Sequence, residues 1–128
     1  MQEMKSGVTS IVLAAGLVIA AATGAFAQNP LEVAPDMYKL KFENDRVRVM
    51  EVTFAPGASI AMHSHPDHFV HVASGGKLAL SYPDGTSKEL EAKAGEILWI
   101  DAESHAAKNP GDTEVKLLVV ELKEPKKQ

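Results

Sequence analysis

The sequence predicts a single small all-β domain. Along residues 37–123, short runs follow one another in which apolar and polar residues alternate or β-branched residues dominate. Clusters of Gly, Pro, Asn and Asp separate these runs at intervals of roughly 8–12 residues, a spacing typical of a sandwich or a barrel. No window beyond the N-terminal stretch has the apolar period of 3.6 residues that marks an amphipathic helix.

Eight runs are predicted as strands. The alternation is clearest in RVRVMEVTF, where Val47 and Val49 share one face and Arg46 and Arg48 share the other. The remaining seven runs are residues 37–43, 58–64, 68–73, 76–82, 86–92, 96–101 and 115–123. His105 is expected at the start of a further strand, between the 96–101 run and a turn that contains Asn109-Pro110-Gly111.

Residues 1–27 are predicted to be a secretory signal peptide. A polar start with Lys5 precedes an apolar run over residues 11–22 and an Ala-Phe-Ala exit, which is the layout of a cleavable leader. The apolar run is shorter than the roughly 20 residues of a comfortable membrane span. Cleavage after Ala27 would deliver a periplasmic or secreted protein, and a retained N-terminal anchor helix is the alternative.

The rest of the chain divides into three parts. Residues 28–36 form a non-periodic arm, expected as a linker or an edge segment, residues 37–123 form the barrel, and residues 124–128 form a charged tail. The formal net charge of −4 argues against nucleic acid and anionic membrane surfaces as partners. The chain has no cysteine, so nitrogen and oxygen atoms would have to hold any metal.

Histidines are concentrated in one segment. Four of the five lie within nine positions, namely His63, His65, His68 and His71, and the fifth is His105. Residues two apart on a strand face the same way, so the first two can converge on one cation. A tight turn would bring His68 back beside them. His71 follows three positions later and is expected on the opposite face.

The histidine segment resembles the first motif of the cupin family, G-x5-H-x-H-x3,4-E-x6-G. The matching residues are Gly57, His63, His65, His68 and Gly75. His68 stands where the family usually has Glu, with a shortened gap before it. An alignment on Gly76 would put Phe69 there instead, and His68 is preferred because a phenyl ring cannot bind a metal.

A second stretch resembles the second cupin motif, G-x5-P-x-G-x2-H-x3-N. Gly95, His105 and Asn109 match, whereas Asp101 and Glu103 stand where Pro and Gly are usual, and the gap before the histidine is one residue shorter. The two motifs appear in the family's order and span most of the mature chain. The resemblance implies a double-stranded β-helix, or jelly-roll barrel, and a homodimer.

The resemblance also implies a metal site inside the barrel. Its predicted ligands are His63, His65, His68 and His105. Imidazole ligands favour a divalent transition metal such as Zn, Fe, Ni or Cu over Mg, Ca or Mn. Because these ligands are neutral, the ion would keep its full double charge and act as a strong Lewis acid. Histidines kept as polar core residues, or a metal that serves stability alone, are the alternatives.

Other residues are candidates for supporting roles. Glu103 is the candidate catalytic residue, either as a general base or as a hydrogen-bond acceptor beside a ligand, and Asp67 and Tyr82 are the other ionisable candidates. Trp99 could line a substrate cavity or pack in the core. Two functions stay open. One is a metalloenzyme of dioxygenase-, isomerase- or hydratase-like chemistry acting on a small organic molecule, and the other is a non-catalytic protein that binds a metal or a small ligand.

Overall fold

The computed structural model describes residues 28–124. The predicted signal peptide and the last four residues of the tail lie outside this range. The described part contains one short helix and nine strands. They are α1 Pro30–Val33, β1 Tyr38–Glu43, β2 Val47–Phe54, β3 Ser59–His65, β4 His68–Ser74, β5 Gly76–Ser81, β6 Ser87–Ala92, β7 Ile97–Ile100, β8 Glu103–Lys108 and β9 Val115–Leu122.

The strands form two antiparallel sheets, which confirms the all-β prediction. One sheet has five strands in the order β1-β2-β9-β4-β7, and the other has four in the order β3-β8-β5-β6. Consecutive strands repeatedly fall in different sheets, so the chain crosses between the two layers as a jelly roll does. The inner faces of both sheets supply the core, as alternation along each strand requires.

Alternation along β2 illustrates how the core is built. Met50, Val52 and Phe54 are buried between the sheets, and the intervening residues face outward. Arg48 continues the buried face toward one end of the barrel, and Val49 lies on the outer face. Arg48 therefore lies on the inner face of the sheet, at the polar end of the barrel.

The N-terminal arm is an ordered part of the domain and not a linker. Residue Asn29 caps α1, its Oδ1 accepting a hydrogen bond from the backbone N–H of Leu31 at 3.1 Å, and Pro30 occupies the first helical turn and is buried. Both residue types favour a helix start, although a helix of one turn leaves no periodic signal in the sequence. The carbonyl of Gln28 accepts a hydrogen bond from the backbone of Ser64 at 2.8 Å, which ties the arm to β3.

The strand that carries His105 is longer than the sequence indicates. β8 runs from Glu103 to Lys108, so His105 is its third residue rather than its first. The two alanines that follow His105 have little strand preference, and β8 is fixed by its pairing with β3 and β5. The buried Asn109 then begins the turn, and its side-chain amide donates hydrogen bonds to the carbonyls of Phe54 and Thr113.

Candidate metal centre

A β-bulge in β3 turns two histidines toward the barrel interior. Ile60 pairs with Ala107 and His63 pairs with His105, so β3 has one more residue than β8 over this interval. The extra residue reverses the alternation, and Ile60, His63 and His65 are all buried. Without the bulge, Ile60 and the two histidines would face opposite sides of the sheet.

Three histidines meet in the four-stranded sheet. His105 lies directly opposite His63 in the antiparallel register, with ring centroids 4.8 Å apart, and His65 lies one step along the same face. One nitrogen from each of the three rings lies within 4.8 Å of the others. Nitrogens that bind one ion at about 2.1 Å each lie at most about 4 Å apart, so the three rings are close to metal-binding geometry.

His68 faces this triad from the other sheet. It opens β4, is buried, and has its ring centroid 4.5 Å from that of His65. It is not among the three residues whose nitrogens lie within 4.8 Å of one another. Phe69 occupies the opposite, outer face of β4, and so does His71.

Backbone carbonyls fix the tautomer of two of the four rings. The Nδ1–H of His63 donates to the carbonyl of Ala61 at 2.8 Å, and the Nδ1–H of His68 donates to the carbonyl of Pro66 at 2.8 Å. A carbonyl can only accept, so Nδ1 carries the proton in both rings and Nε2 keeps its lone pair.

Carboxylates fix the other two rings. The Nδ1–H of His65 donates to Glu121 at 2.6 Å, and the Nδ1–H of His105 donates to Glu103 at 2.6 Å. Metal-binding histidines usually make such a bond through the nitrogen that does not bind the metal, because it orients the ring and raises its basicity. All four rings therefore present a lone pair at Nε2.

The surroundings of the His63 Nε2 atom indicate whether these residues suit a metal. It is fully buried, and no hydrogen-bond donor reaches it among the residues that the structure describes. A buried nitrogen with a free lone pair is costly unless a partner binds it. A divalent cation between the three rings would satisfy this atom, and the donor set fits Zn, Fe, Ni or Cu.

Burial favours the neutral form, which binds metals, for three of the four histidines. Burial lowers the pKa of His63 to about 4, against a smaller upward effect of its hydrogen bond to the Ala61 carbonyl. Burial likewise lowers the pKa of His68 and of His105, and the Glu103 carboxylate partly opposes the shift at His105. Few protons therefore compete with a metal for these nitrogens at neutral pH.

Glu121 is a site residue that was not predicted. It is buried on the inner face of β9 and holds His65, and Arg48 binds its other oxygen through Nε at 2.9 Å and through a terminal nitrogen at 2.7 Å. Burial disfavours the ionised carboxyl, but the hydrogen bond from His65 and the charge of Arg48 outweigh it and lower the pKa of Glu121. The available signal was the alternation of VKLLVVEL, which puts Glu121 on the same face as Val119.

Arg48 extends this network to the N-terminal arm. Its second terminal nitrogen donates to Asn29 Oδ1 at 3.1 Å. A chain of hydrogen bonds therefore runs from the arm through Arg48 and Glu121 to the ring of His65. The polar row on the inner face of the five-stranded sheet, formed by Arg48, Glu121 and His68, faces the three histidines of the other sheet.

The other predicted site residues lie in different places. Glu103 contacts His105, and its side chain is 26% exposed. Asp67 accepts a hydrogen bond from the backbone of Ala102 at 2.8 Å, so it holds the turn before β8. Trp99 is 54% exposed and donates its indole N–H to Asp101, so core packing is excluded. Tyr82 lies beside Glu103, on the rim of a surface cleft.

An interior cavity of about 50 Å³ adjoins the histidines. His65, His68, His105 and the ring of Tyr38 border it on the polar side. Apolar side chains from both sheets form the rest of its wall, among them Leu78, Leu80, Val70, Leu117 and Val119. One water molecule needs about 10–15 Å³ by this kind of measure, so the cavity accommodates only a few atoms.

A small jelly-roll barrel with an interior histidine cluster defines the class of this protein. The sequence model for the cupin domain matches residues 50–121, and the chain belongs to the cupin family. This finding confirms the resemblance drawn from the two motifs. A search of curated proteins finds no match.

Solved structures agree with this assignment. A cupin-domain protein from Bordetella pertussis is 30% identical over 69% of this chain and 93% of its own, with a TM-score of 0.64. The polyketide cyclase RemF from Streptomyces resistomycificus is 26% identical over 68% of this chain and 64% of its own, with a TM-score of 0.52. An RmlC-like cupin with a double-stranded β-helix fold from Methanocaldococcus jannaschii is 12% identical, with a TM-score of 0.56, and supports the fold alone.

Within residues 28–124, no helix combines the length and the apolar character needed to cross a membrane.

Proposed function

We propose that this protein is an exported cupin that binds one divalent transition metal through His63, His65 and His105 and acts on a small organic molecule at that metal. The observation that carries the proposal is the buried Nε2 of His63, which lacks a hydrogen-bond partner among the described residues and lies beside two further rings with free Nε2 atoms. His68 is proposed as the fourth ligand, because its Nδ1–H is also occupied and its ring packs against His65.

The metal content of the purified mature protein tests the metal site. Without added metal in the buffers, wild type is expected to carry about one equivalent of Zn, Fe, Ni or Cu per chain. His105→Ala removes one ligand and should lower this content sharply. His71→Ala is the matched control, since His71 lies on the outer face of β4. An equal metal content in the two variants would contradict the proposal.

The identity of the bound metal also narrows the chemistry. Iron or copper would support oxygen chemistry of the dioxygenase type, and zinc or nickel would support hydration or isomerisation through Lewis-acid activation. The similarity to RemF, a cyclase, supports chemistry on an organic substrate. Glu103 is the proposed general base, because its carboxylate contacts His105 and remains partly exposed.

A non-catalytic protein that binds a metal or a small ligand is the second candidate. The small interior cavity favours it, and so does the hydrogen bond that commits one oxygen of Glu103 to His105. Glu103→Gln separates the two functions, because it removes the base but keeps an oxygen that can accept from His105. Loss of turnover with metal retained supports catalysis, whereas an absence of turnover in the metal-loaded wild type across small organic acids, alcohols and phenols supports binding.

We also propose export, with cleavage after Ala27. The ordered arm supports this site, because Gln28 and Asn29 already contact the barrel and cleavage would leave those contacts intact. Mass spectrometry of the protein from a periplasmic or secreted fraction should give a chain that begins at Gln28. A chain that keeps residues 1–27 would favour the retained anchor.

A homodimer is the proposed assembly, formed through the outer face of the five-stranded sheet. One row of paired residues crosses β1, β2, β9 and β4 on this face and consists of Phe42, Val49, Val120 and Phe69. None of the four is charged, so two copies of the row can meet about a two-fold axis without repulsion. Contiguous exposed apolar residues often mark interaction sites.

A further inference from the structure

A surface cleft of about 290 Å³ lies next to the interior cavity. Its rim carries polar and aromatic side chains, namely Tyr82, Lys88, Trp99, Asp101 and Glu103. Four apolar side chains, Leu80, Leu90, Leu98 and Ile100, complete its lining, and the same four also line the interior cavity. One layer of apolar side chains therefore separates the cleft from the cavity beside the histidines.

This apolar layer covers a seam in the barrel wall. β6 pairs with β5, β7 pairs with β4, and no hydrogen-bonded ladder joins β6 to β7 among the described strands. Leu90 on β6 and Leu98 and Ile100 on β7 are only half-buried. Side-chain packing alone closes the wall here, so rotamer changes can open it without the loss of a backbone hydrogen bond.

We propose that this cleft binds the body of an aromatic substrate, whose small polar head passes between β6 and β7 to reach the histidines. The proposal rests on the proposed metal site and adds the class of substrate and its route. The two volumes support it, since about 50 Å³ admits a head of a few atoms and about 290 Å³ accommodates a larger body outside. Glu103 borders the cleft and also contacts His105, so it lies where head and body would join.

The rim of the cleft supplies the chemistry that recognises an aromatic body. Trp99 presents half of its surface to solvent, and a hydrogen bond of 2.9 Å from its indole N–H to Asp101 holds the ring in place. Tyr82 adds a second ring, and the exposed Lys88 adds a cation for an anionic or electron-rich substituent. A ring fixed before binding loses little conformational entropy when a ligand stacks on it.

Two hydroxamates provide the test on cobalt(II)-loaded mature protein. Acetohydroxamate and benzohydroxamate share a metal-binding head, and only the second has an aromatic body. The visible absorption of the cobalt should change when either hydroxamate binds, which gives the two dissociation constants. We expect benzohydroxamate to bind roughly threefold to tenfold more tightly, because its ring stacks in the cleft. Trp99→Ala should abolish this preference. Leu40→Ala is the control and should keep the preference. Leu40 is similarly exposed, at 48%, on the opposite edge strand β1, and it lies outside the row of the proposed dimer.

Substitution at the seam tests the route. Leu98→Trp fills the space between β6 and β7, and both hydroxamates should then associate with the cobalt several-fold more slowly than in wild type. Unchanged association rates would overturn the route. A wild-type protein with no preference for benzohydroxamate, or a Trp99→Ala variant that keeps the preference, would overturn the substrate class.

Fluorescence separates this inference from the proposed metal site. Trp99 is the only tryptophan in the chain, so its emission reports on the cleft with or without a metal. Benzohydroxamate should quench this emission saturably in metal-free protein, and acetohydroxamate should not. If cobalt fails to bind, the proposed function is wrong and quenching alone decides whether the cleft binds aromatic molecules. If cobalt binds and no saturable quenching occurs, the cleft proposal is wrong and the metal site stands.

Discussion

At the scale of single residues, the site is defined by which nitrogen of each imidazole carries the proton. Two carbonyls and two carboxylates each accept a hydrogen bond from an Nδ1–H, so the four Nε2 lone pairs are available to bind a metal. The sequence predicted the four histidines and one of their acceptors, Glu103, but not the other three acceptors. Ala61 and Pro66 accept through their backbone carbonyls, which every residue type has, so the sequence does not indicate these two acceptors. Glu121 is more than fifty positions from His65 and is brought to it only by strand pairing.

Glu121→Gln should weaken metal binding roughly tenfold to a hundredfold. The amide can still accept from His65, but it lacks the charge that raises the basicity of the imidazole, and it leaves Arg48 without its partner. Competition with a chelator of known affinity measures the change. Glu89→Gln, on an exposed position of β6, is the matched control and should bind as wild type does. Equal affinities for the two variants would contradict a role for Glu121.

The stability of the metal-free protein should fall as the pH drops from about 6.5 toward 4. Burial lowers the pKa of His63 to about 4 and also lowers those of His68 and His105, so the unfolded chain takes up protons first in this range. Each such histidine contributes up to about 1.4 kcal/mol per pH unit to the loss, and the contribution is constant above about 6.5. Glu121, whose pKa is lowered from 4.5, adds to the loss of stability only once the pH falls below about 4.5.

Urea denaturation at several pH values measures this dependence. His63→Gln should have a shallower slope than wild type, since one titrating group is gone, and His71→Ala should keep the wild-type slope. A stability that stays constant between pH 6.5 and 4 would contradict neutral, buried histidines. The same pKa shifts imply that protons displace the metal at a lower pH than they would from histidines of ordinary pKa.

At the scale of secondary-structure elements, the regular strands could be predicted from the sequence. The bulge in β3, the short helix α1 and the full length of β8 could not. Every run predicted as a strand is a strand within a residue or two, because alternation and turn residues are local signals. The bulge between Ile60 and His63 is not local, since it is defined by the count of residues on β8 opposite it. The single turn of α1 and the full length of β8 likewise depend on packing and pairing rather than on periodicity.

Gly75→Ala should destabilise the protein by about 1–3 kcal/mol. A methyl group at this position, where β4 leads into β5, would meet the carbonyl oxygen of Ala92 and the backbone nitrogen of Ala94, neither of which can move without disturbing the end of β6. Urea denaturation measures the free energy of unfolding. Ser74→Ala, at the exposed neighbouring position, should stay within about 0.5 kcal/mol of wild type. A stability of Gly75→Ala equal to that of the control would contradict the close backbone approach.

At the scale of the whole molecule, the two sheets divide the barrel into a polar end and an apolar remainder. Arg48, Glu121 and His68 from one sheet face the histidines of the other at the polar end, and aliphatic side chains fill the rest. The family could be predicted because two spaced motifs survive in the sequence. Which residues of distant strands face each other depends on register, which one sequence does not specify, and so Arg48 and Glu121 were missed.

The proposed homodimer can be tested at the outer face of the five-stranded sheet. Val120→Lys puts a charge at the centre of the apolar row on the outer face, and a two-fold contact would bring two such charges together. The variant should therefore be monomeric where wild type is dimeric, as measured by light scattering coupled to size-exclusion chromatography. Glu89→Lys changes the charge on the other sheet and should stay dimeric. A monomeric wild type would contradict the proposed homodimer.

The central claim is that three imidazoles from two strands hold one metal inside the barrel. An anomalous-difference map from a crystal of the cobalt-loaded protein tests it most directly. We predict one strong peak per chain, within about 2.3 Å of the Nε2 atoms of His63, His65 and His105. A peak bound only by surface carboxylates, or a well-ordered His105 whose Nε2 points away from the peak, would contradict the claim.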